Sequence, residues 1–394
     1  MRKKIVLMTG GTETLDYFSR QINYEFIRLG YHTFLFDQQQ EEESSEALAH
    51  FCGMSDSILV TFNYEGIHYE TSLFDREGNW FWEKYDIFCV NIIVDHPFYS
   101  PELLAIHPKK FCQVCIDRFH VQYMKEHYPE LTPVLFLPLG GTSLFPDGNC
   151  PDISHRPYDV VFPGNFTPKE TFEPYITRLG KEYETFYRSI IQELIAEPDT
   201  PDDQLIEAYL RKEFPDASNQ EMIETMGNMI FIDTYIRFYF REKVVRTLLE
   251  SGIKVHCIGA GWDKLSCRHP ENLTYEEGCD SLQCLKRMSQ AKLSLNVMPW
   301  FKDGAHDRVF NAMANGSVCI TDHSKYLDEI LSDGKNVLFY DLKETDALPE
   351  KVDALLQNPD KLTQLAKNGY SLTMTSHTWD CRAKALHEKL LRFL

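Results

Sequence analysis

The chain has 394 residues, of which 43% are hydrophobic and 25% charged, the proportions of an ordinary folded protein. This length exceeds the usual size of a single hydrophobic core, so we expect two domains. The formal net charge of -19 excludes nucleic acid and anionic membranes as the main partners, because binding to either requires a basic surface.

The amino terminus, MRKK, precedes an apolar run that ends within a few residues at a glycine turn, which predicts a first strand and not a signal peptide. No apolar stretch approaches the roughly 20 residues that a membrane helix needs, so we expect a soluble, cytoplasmic protein. The eleven cysteines are scattered, which favours buried free thiols. Cys112 and Cys115 have a C-x-x-C spacing, but on a strand they would face opposite sides, and we expect no metal there.

The first part of the chain alternates strand and helix patterns, which predicts a parallel sheet and a Rossmann-like domain over residues 1–141. A helix is predicted over residues 17–29, whose apolar side chains recur at helical spacing. The turn after the first strand, Gly10-Gly11-Thr12-Glu13, lacks the G-x-G-x-x-G pattern of dinucleotide-binding proteins, so an NAD site is not expected. The predicted strands cover residues 5–8, 31–36, 57–62, 87–94, 111–116 and 134–137.

The fourth predicted strand ends in Val94-Asp95-His96-Pro97, which places a carboxylate and an imidazole side by side at the carboxyl end of a strand. One interpretation is structural, since such residues often cap strand ends. The other is that one of the two side chains faces a ligand as a general base or as a hydrogen-bond partner.

Residues 142–157 are rich in Pro, Gly, Asp and Ser and are the predicted linker. A second domain is expected over residues 158–380, with a helical insertion at about 168–250 that shapes a lid or an acceptor groove or serves packing alone. A last helix is predicted over residues 381–394. Glycines follow two strands of this domain, Gly164 with Asn165 and then Gly259 with Gly261, where a backbone must come close to a ligand or to another loop.

Residues 293–322, LSLNVMPWFKDGAHDRVFNAMANGSVCITD, have the pattern of a strand, a polar loop, a short helix and a second strand. Ligands bind outside the carboxyl ends of parallel strands, and a helix amino terminus attracts anions. The loop before the helix is therefore the predicted ligand site, with Arg308 as a forked donor to a diphosphate. The alternative is an ordinary strand, loop and helix with a solvated charged loop.

This stretch resembles the GT-B glycosyltransferases of the group 1 type, and among them the CgeB-like group, to which the Asp95-His96-Pro97 segment is also similar. Retaining enzymes of this fold carry two acids eight positions apart, followed by a helix of small residues that ends in glycine. Asp303 and Asn311 have this spacing, and AMANG at 312–316 matches the helix end. The resemblance implies that Asp303 contacts the donor sugar and Asn311 the ribose, although an amide replaces the second acid.

The resemblance also implies an α/β fold with two Rossmann-like domains and a helical insertion in the second. The implied activity is that of a hexosyltransferase, which moves a sugar from a nucleotide-diphosphate sugar to a hydroxyl of a glycan, a protein or a small molecule. A UDP-sugar is the expected donor, with no other cofactor, and the absence of a D-x-D triplet predicts that no metal is used. The donor-binding residues so predicted are Gly164, Asn165, Gly259, Gly261, Tyr275, His306, Arg308 and Asn311.

The catalytic residues predicted from the resemblance are His96, Asp95 and Asp303. His96 is favoured, because retaining enzymes of this fold place a histidine near the donor sugar, and Asp95 or His96 would be the base if the reaction inverts. The turn Gly10-Gly11-Thr12-Glu13 is the predicted acceptor-side loop, which domain closure would bring to the donor. The second hypothesis is a non-catalytic sugar-nucleotide-binding or assembly protein of the same fold, which the missing acid at Asn311 favours.

Overall fold

In this computed structural model, residues 4–53, 57–68 and 70–391 are described. The described residues of Met1–Leu139 and Trp379–Leu394 form one compact unit, unit 1, and Gly140–Thr378 forms a second, unit 2. The sequence predicts boundaries after residues 141 and 380, and the structure divides the chain after Leu139 and Thr378. Residues 142–157, the predicted linker, fold with unit 2, and the last three residues of the predicted helix 381–394 lie outside the described part.

Unit 1 is a six-stranded parallel sheet in the order β2-β1-β3-β4-β5-β6. Helices cover it, so that strands such as Ser57–Phe62, SILVTF, are buried along their whole length. Its strands are β1 Lys4–Thr9, β2 His32–Asp37, β3 Ser57–Phe62, β4 Phe88–Ile93, β5 Phe111–Cys115 and β6 Val134–Phe136. Its helices are α1 Glu13–Arg28, α2 Glu41–Cys52, α3 Phe81–Lys84, α4 Pro101–Ala105, α5 Arg118–His127 and α16 Trp379–Leu390.

Unit 2 is a second six-stranded parallel sheet, in the order β12-β11-β10-β7-β8-β9. Its strands are β7 Tyr158–Pro163, β8 Val255–Ile258, β9 Leu273–Glu276, β10 Ala291–Leu295, β11 Val318–Asp322 and β12 Leu338–Tyr340. Five helices lie between β7 and β8, which are α6 Glu173–Thr177, α7 Lys181–Ala196, α8 Asp202–Glu213, α9 Asn219–Gly227 and α10 Ile230–Glu250. The other helices are α11 Ser281–Ser289, α12 Asp307–Ala314, α13 Lys325–Ile330, α14 Leu348–Leu356 and α15 Pro359–Ser376.

Two parallel sheets and a helical insertion in the second confirm the predicted fold class. Each predicted strand is present within a few residues of its expected position. Among the helices that the structure describes, none combines the length and the apolar character needed to cross a bilayer.

Two helix ends differ from the prediction for physical reasons. The first helix begins at Glu13 and not at residue 17, because Thr12 has the extended backbone of an N-cap and two acids follow in the first turn. Glu13 is therefore a helical residue and not part of the loop with Gly10 and Gly11. The sequence also predicts a helix over residues 359–369 that ends at its glycine. Helix α15 continues past Gly369, because this glycine serves close packing: a Cβ there would lie 3.0 Å from the Asn336 carbonyl oxygen.

Helix α12 is joined to the start of unit 2 by Asn315, which is fully buried. Its Nδ2 donates to the carbonyl oxygens of Thr142 and Asn311, both at 2.8 Å. Its Oδ1 accepts from the Leu144 N–H at 2.9 Å. One amide thus satisfies three backbone groups and holds residues 142–144 against the helix.

Asn315→Ala should lower the stability of unit 2 by about 3 kcal/mol, because it leaves these buried backbone groups unpaired. The measurement is the midpoint of thermal or urea unfolding, followed by tryptophan fluorescence. Asn228→Ala is the matched control, since this exposed amide donates only one hydrogen bond, to the Glu224 carbonyl oxygen at 2.9 Å. Equal midpoints for the two variants would contradict this role of Asn315.

Candidate functional site

The central loop of unit 2 follows β10 and ends at the amino terminus of α12, as the sequence predicts. His306 is the N-cap of this helix, and its Nδ1 accepts from the Arg308 N–H at 3.3 Å. The Asp307 carboxylate lies 2.5 Å from the same nitrogen. The cap hydrogen bond fixes the first turn of α12 and, with it, the direction of the Arg308 side chain.

Arg308 is buried, with 7% of its surface exposed. Its Nη1 donates to the Pro163 carbonyl oxygen at the end of β7, at 2.6 Å, and its Nε lies 3.2 Å from His306 Nδ1. Its Nη2 has no hydrogen-bond partner among the described residues. Within that same part of the chain, no carboxylate oxygen lies within 4.0 Å of the guanidinium, so its charge has no direct counter-ion.

A second buried arginine, Arg241, reaches the same place from α10. It is also 7% exposed, and its Nη1 donates to the Asn165 carbonyl oxygen at 2.7 Å. Its Nε is buried without a partner in the described structure. The two guanidinium carbons lie 5.7 and 5.9 Å from the centre of the Phe162 ring, for Arg308 and Arg241 respectively.

Sequence reasoning missed Arg241, because α10 carries several arginines and its pattern does not show which of them points inwards. Arg237, one turn earlier, is paired with Asp233 at 3.1 Å and stacks on Trp300, with its guanidinium carbon 4.0 Å from the ring centre. The signal available in the sequence was the i, i+4 spacing of the two arginines, which places them on one face of the helix.

Burial lowers the pKa of both site arginines. The positive charges of Arg308 and Arg237 lower the pKa of Arg241 further. For Arg308, the negative charge of the nearby Asp307 raises the pKa and so opposes the effect of burial. The cations therefore repel one another in a poorly solvated place. An anion that entered would offset both the desolvation and the repulsion.

Two glycine turns close this side of the site. The Gly164 carbonyl oxygen accepts from Trp262 Nε1 at 2.7 Å, and Asn165 Oδ1 accepts from the Ala260 N–H at 3.0 Å. Gly259 has φ 146°, and a Cβ there would lie 2.6 Å from Asn165 Oδ1. Gly261 has φ 92°, and a Cβ there would lie 2.0 Å from the Phe166 carbonyl oxygen. Both positions need glycine so that the two turns can pack.

The remaining predicted residues of unit 2 differ in how far they are buried. Asn311 is buried, where its Oδ1 accepts from the Thr142 N–H at 2.9 Å and its Nδ2 donates to Asp307 at 2.8 Å. Asp303 is half-buried in the loop before α12, and Tyr275 on β9 is 50% exposed. Around Arg308, the described residues contain no group of three metal-ligating side chains close enough to share an ion.

In unit 1, a cavity of about 490 Å³ lies at the carboxyl ends of the sheet strands. It brings together three of the predicted residues, Gly11, Thr12 and Asp95, whereas Gly10 and Glu13 do not line it. Asp95 accepts a hydrogen bond from Asn63 Nδ2 at 3.0 Å. The other lining residues are Thr14, Leu15, Gln38, Asn63, Glu65, Glu70 and Val94.

His96 occupies a different environment from Asp95. It is 3% exposed, and its Nδ1 accepts from the Phe98 N–H at 3.2 Å. Its ring lies 4.2 Å from that of His120, centre to centre. The structure thus places Asp95 at the unit 1 cavity and His96 in a packed aromatic cluster, while the prediction favours His96 as the catalytic residue.

The pKa of His306 is lowered to about 4, first by burial and then by the charge of Arg308. The folded chain therefore resists protonation of His306, whereas the unfolded chain accepts a proton below the ordinary value of about 6.5. Stability is present above that value and is lost as the pH falls from about 6.5 towards 4.

Between pH 7 and pH 5.5, the wild-type chain should lose about 1 kcal/mol more stability than His306→Asn, which keeps an N-cap but cannot titrate. Urea unfolding of both proteins at the two pH values measures this difference. A loss of the same size in both proteins would show that His306 does not titrate in this window.

Residues 240–388 match the profile of a protein family described as Glycosyl transferase-like. A comparison with curated protein sequences found no match. The whole chain is similar in fold to a sucrose-phosphate synthase from Thermosynechococcus elongatus, with a TM-score of 0.54, 11% identity and coverage of 100% of this chain and 99% of that one.

Two further solved structures are similar over their whole length. One is an α-glucosyltransferase (AGT) in complex with UDP, with a TM-score of 0.58, 11% identity and coverage of 99% of this chain and 100% of that one. The other is Anabaena HepE in complex with UDP and glucose, with a TM-score of 0.52, 10% identity and coverage of 100% of both chains. The two Rossmann-like units therefore have the GT-B glycosyltransferase fold, and the carboxy-terminal match is to a glycosyl transferase-like family.

Proposed function

We propose that this chain is a glycosyltransferase, which moves a sugar from a nucleotide-diphosphate sugar to an acceptor hydroxyl. The observation that carries the proposal is the pair of buried arginines, Arg308 and Arg241, at the glycine turns of unit 2. Neither has a carboxylate within ion-pair distance in the described residues, and each retains a buried N–H without a partner.

A diphosphate fits this arrangement because it supplies negative charge and several acceptor oxygens at one place. A guanidinium binds phosphate oxygens through two N–H groups, and such charge-assisted bonds are among the strongest in proteins. The first turn of α12 adds partial positive charge at the same end. In a transfer reaction, the same groups would stabilise the negative charge that develops on the leaving diphosphate.

Two arginines and a helix end can neutralise a leaving diphosphate without a metal ion, so we propose a metal-independent reaction.

The proposed donor is a UDP-hexose, since two of the similar structures are complexes with UDP and one of them also contains glucose. Such donors are made in the cytoplasm, which is the proposed location. We also propose that the chain belongs to the CgeB-like group that it resembles.

Within unit 2, we propose that Asp303 contacts the transferred sugar and that Asn311 and Tyr275 contact the nucleotide. Asn311 uses one acceptor and one donor position in the structure, so its amide keeps one N–H and one lone pair for a ribose hydroxyl. Tyr275, half-exposed on β9, offers a ring against which a base can stack. The acceptor hydroxyl is assigned to unit 1, where Gly11, Thr12 and Asp95 line one cavity.

The second candidate is a protein that binds sugar nucleotides without catalysis. Its support is that Asn311, at the position of the family's second acid, is engaged by Thr142 and Asp307. Titration calorimetry with UDP-sugars, followed by an assay of donor hydrolysis, separates the two functions. Binding with neither hydrolysis nor transfer would favour the second candidate.

Arg308→Ala should weaken UDP binding by about 10- to 100-fold, because it removes a charge-assisted contact worth roughly 1.5–3 kcal/mol. The measurement is calorimetric titration of the full chain with UDP. Arg268→Ala is the control, since Arg268 belongs to the same unit, is 77% exposed and pairs with Glu250 at the surface. Unchanged UDP affinity in a folded Arg308→Ala chain would remove Arg308 from the diphosphate site.

Catalysis should depend on the Asp95-His96 segment and nucleotide binding should not. We expect His96→Ala to lower turnover by about 10²- to 10⁴-fold and to leave UDP affinity nearly unchanged, as a group that acts only in the chemical step would. Asp95→Asn is measured in parallel, because Asp95 is the residue at the cavity. A turnover defect in Asp95→Asn alone would transfer the catalytic role to Asp95.

A further inference from the structure

Two cysteines meet at the start of helix α11. Asp280 is the N-cap of this helix, where its Oδ1 accepts from the Gln283 N–H at 2.7 Å and its carbonyl oxygen accepts from the Cys284 N–H at 3.0 Å. Cys279 thus precedes the N-cap, and Cys284 is the fourth residue of the helix. Side chains at these two positions commonly pack together across a helix start, usually as an apolar pair. Here the pair consists of two thiols.

The two thiols are unequal. None of the eleven cysteines is in a disulfide, and Cys279 is the exposed one among them, whereas Cys284 is half-buried. A hydrogen bond from Cys284 lowers the pKa of Cys279, and the same bond, with burial, raises the pKa of Cys284. Cys279 is therefore the thiol that ionises first and that solvent reaches, and Cys284 occupies the helix position that packs against it across the helix start.

We propose that Cys279 and Cys284 form an oxidation site, at which a hydroperoxide or a small disulfide converts the two thiols into an intramolecular disulfide. With hydrogen peroxide, the Cys279 thiolate attacks one oxygen, becomes a sulfenic acid and releases hydroxide. The Cys284 sulfur then attacks the Cys279 sulfur, the S–O bond breaks and water leaves. The sum is two thiols and one peroxide giving one disulfide and two waters.

The thiol pair lies near Arg308, one of the two buried arginines of unit 2. Asp307 and Arg308 both act electrostatically on Cys284, and α11 packs against α12. A disulfide brings the two sulfurs to about 2.05 Å. The bond should therefore constrain the start of α11, which packs against α12, the helix that carries Arg308. The expected effect on the donor site rests on the proposed function, whereas the oxidation of the thiol pair does not.

The test uses the reduced full chain, treated with hydrogen peroxide and then digested with trypsin. Both cysteines fall in one peptide, 269–286, because no lysine or arginine lies between Arg268 and Lys286. The expected product is this peptide lighter by about 2 Da, from the loss of two hydrogens, and dithiothreitol should restore its mass. Cys267→Ser, which changes a half-buried cysteine outside the pair, should give the same product.

Cys284→Ser removes the second thiol, so its Cys279 should gain oxygen atoms or, with oxidised glutathione, remain a mixed disulfide. Gain of oxygen by peptide 269–286 in the wild-type chain, or no reaction there, would overturn the proposed disulfide. The same mass change in Cys284→Ser as in wild type would overturn it as well, since the second sulfur would then not be needed.

A second readout tests the link to the donor site. UDP should bind several-fold more weakly to the oxidised chain than to the same sample after dithiothreitol. Cys284→Ser cannot form the disulfide, so treatment with oxidant should leave its UDP affinity unchanged. A disulfide with unchanged UDP affinity would overturn the link and leave the oxidation site standing. Failure of the reduced chain to bind UDP would count against the proposed function alone, because the mass readout does not depend on it.

Discussion

Two buried guanidinium groups that have no carboxylate within ion-pair distance among the described residues are the constraint on which the rest of unit 2 depends. Removal of a charge from water costs several kcal/mol unless partners replace the water. Arg308 and Arg241 find backbone carbonyls, a histidine and the ring of Phe162. Both acceptor carbonyls belong to the segment Pro163–Asn165 at the end of β7. The packing of the two glycine turns on each other holds this segment, and with it the carbonyl oxygens that the two arginines use.

The same constraint explains why the supports of α12 are amides and not acids. The helix must hold Arg308 rigidly, and Asn311 and Asn315 do so by contacts to the backbone of residues 142–144. Amides make these contacts without adding further negative charge to that of Asp307 near Arg308. The arginines are therefore left available for the proposed diphosphate. A site that is rigid and positively charged before the ligand arrives needs little reorganisation when it binds.

The sequence predicted the fold class because both sheets are parallel and buried, so that their strands are short apolar runs separated by glycine turns and helices. It also located Arg308, since this residue follows a strand and opens a helix. Arg241 lies 67 positions earlier, in the middle of a helix, and only the packing of α10 on the sheet brings it to the site. The choice between Asp95 and His96 was equally beyond sequence reasoning, because the chain leaves β4 at Ile93 and the strand alternation no longer applies.

The amide at position 311 has a physical reason of its own. Its Nδ2 donates to the Asp307 carboxylate at 2.8 Å, and Asp307 in turn contacts the N-cap histidine. A carboxylate in place of Asn311 would put two negative groups about 3 Å apart, and one of them would have to stay protonated. The amide, at the position where the enzymes that this stretch resembles carry their second acid, thus fits the acid one helical turn earlier.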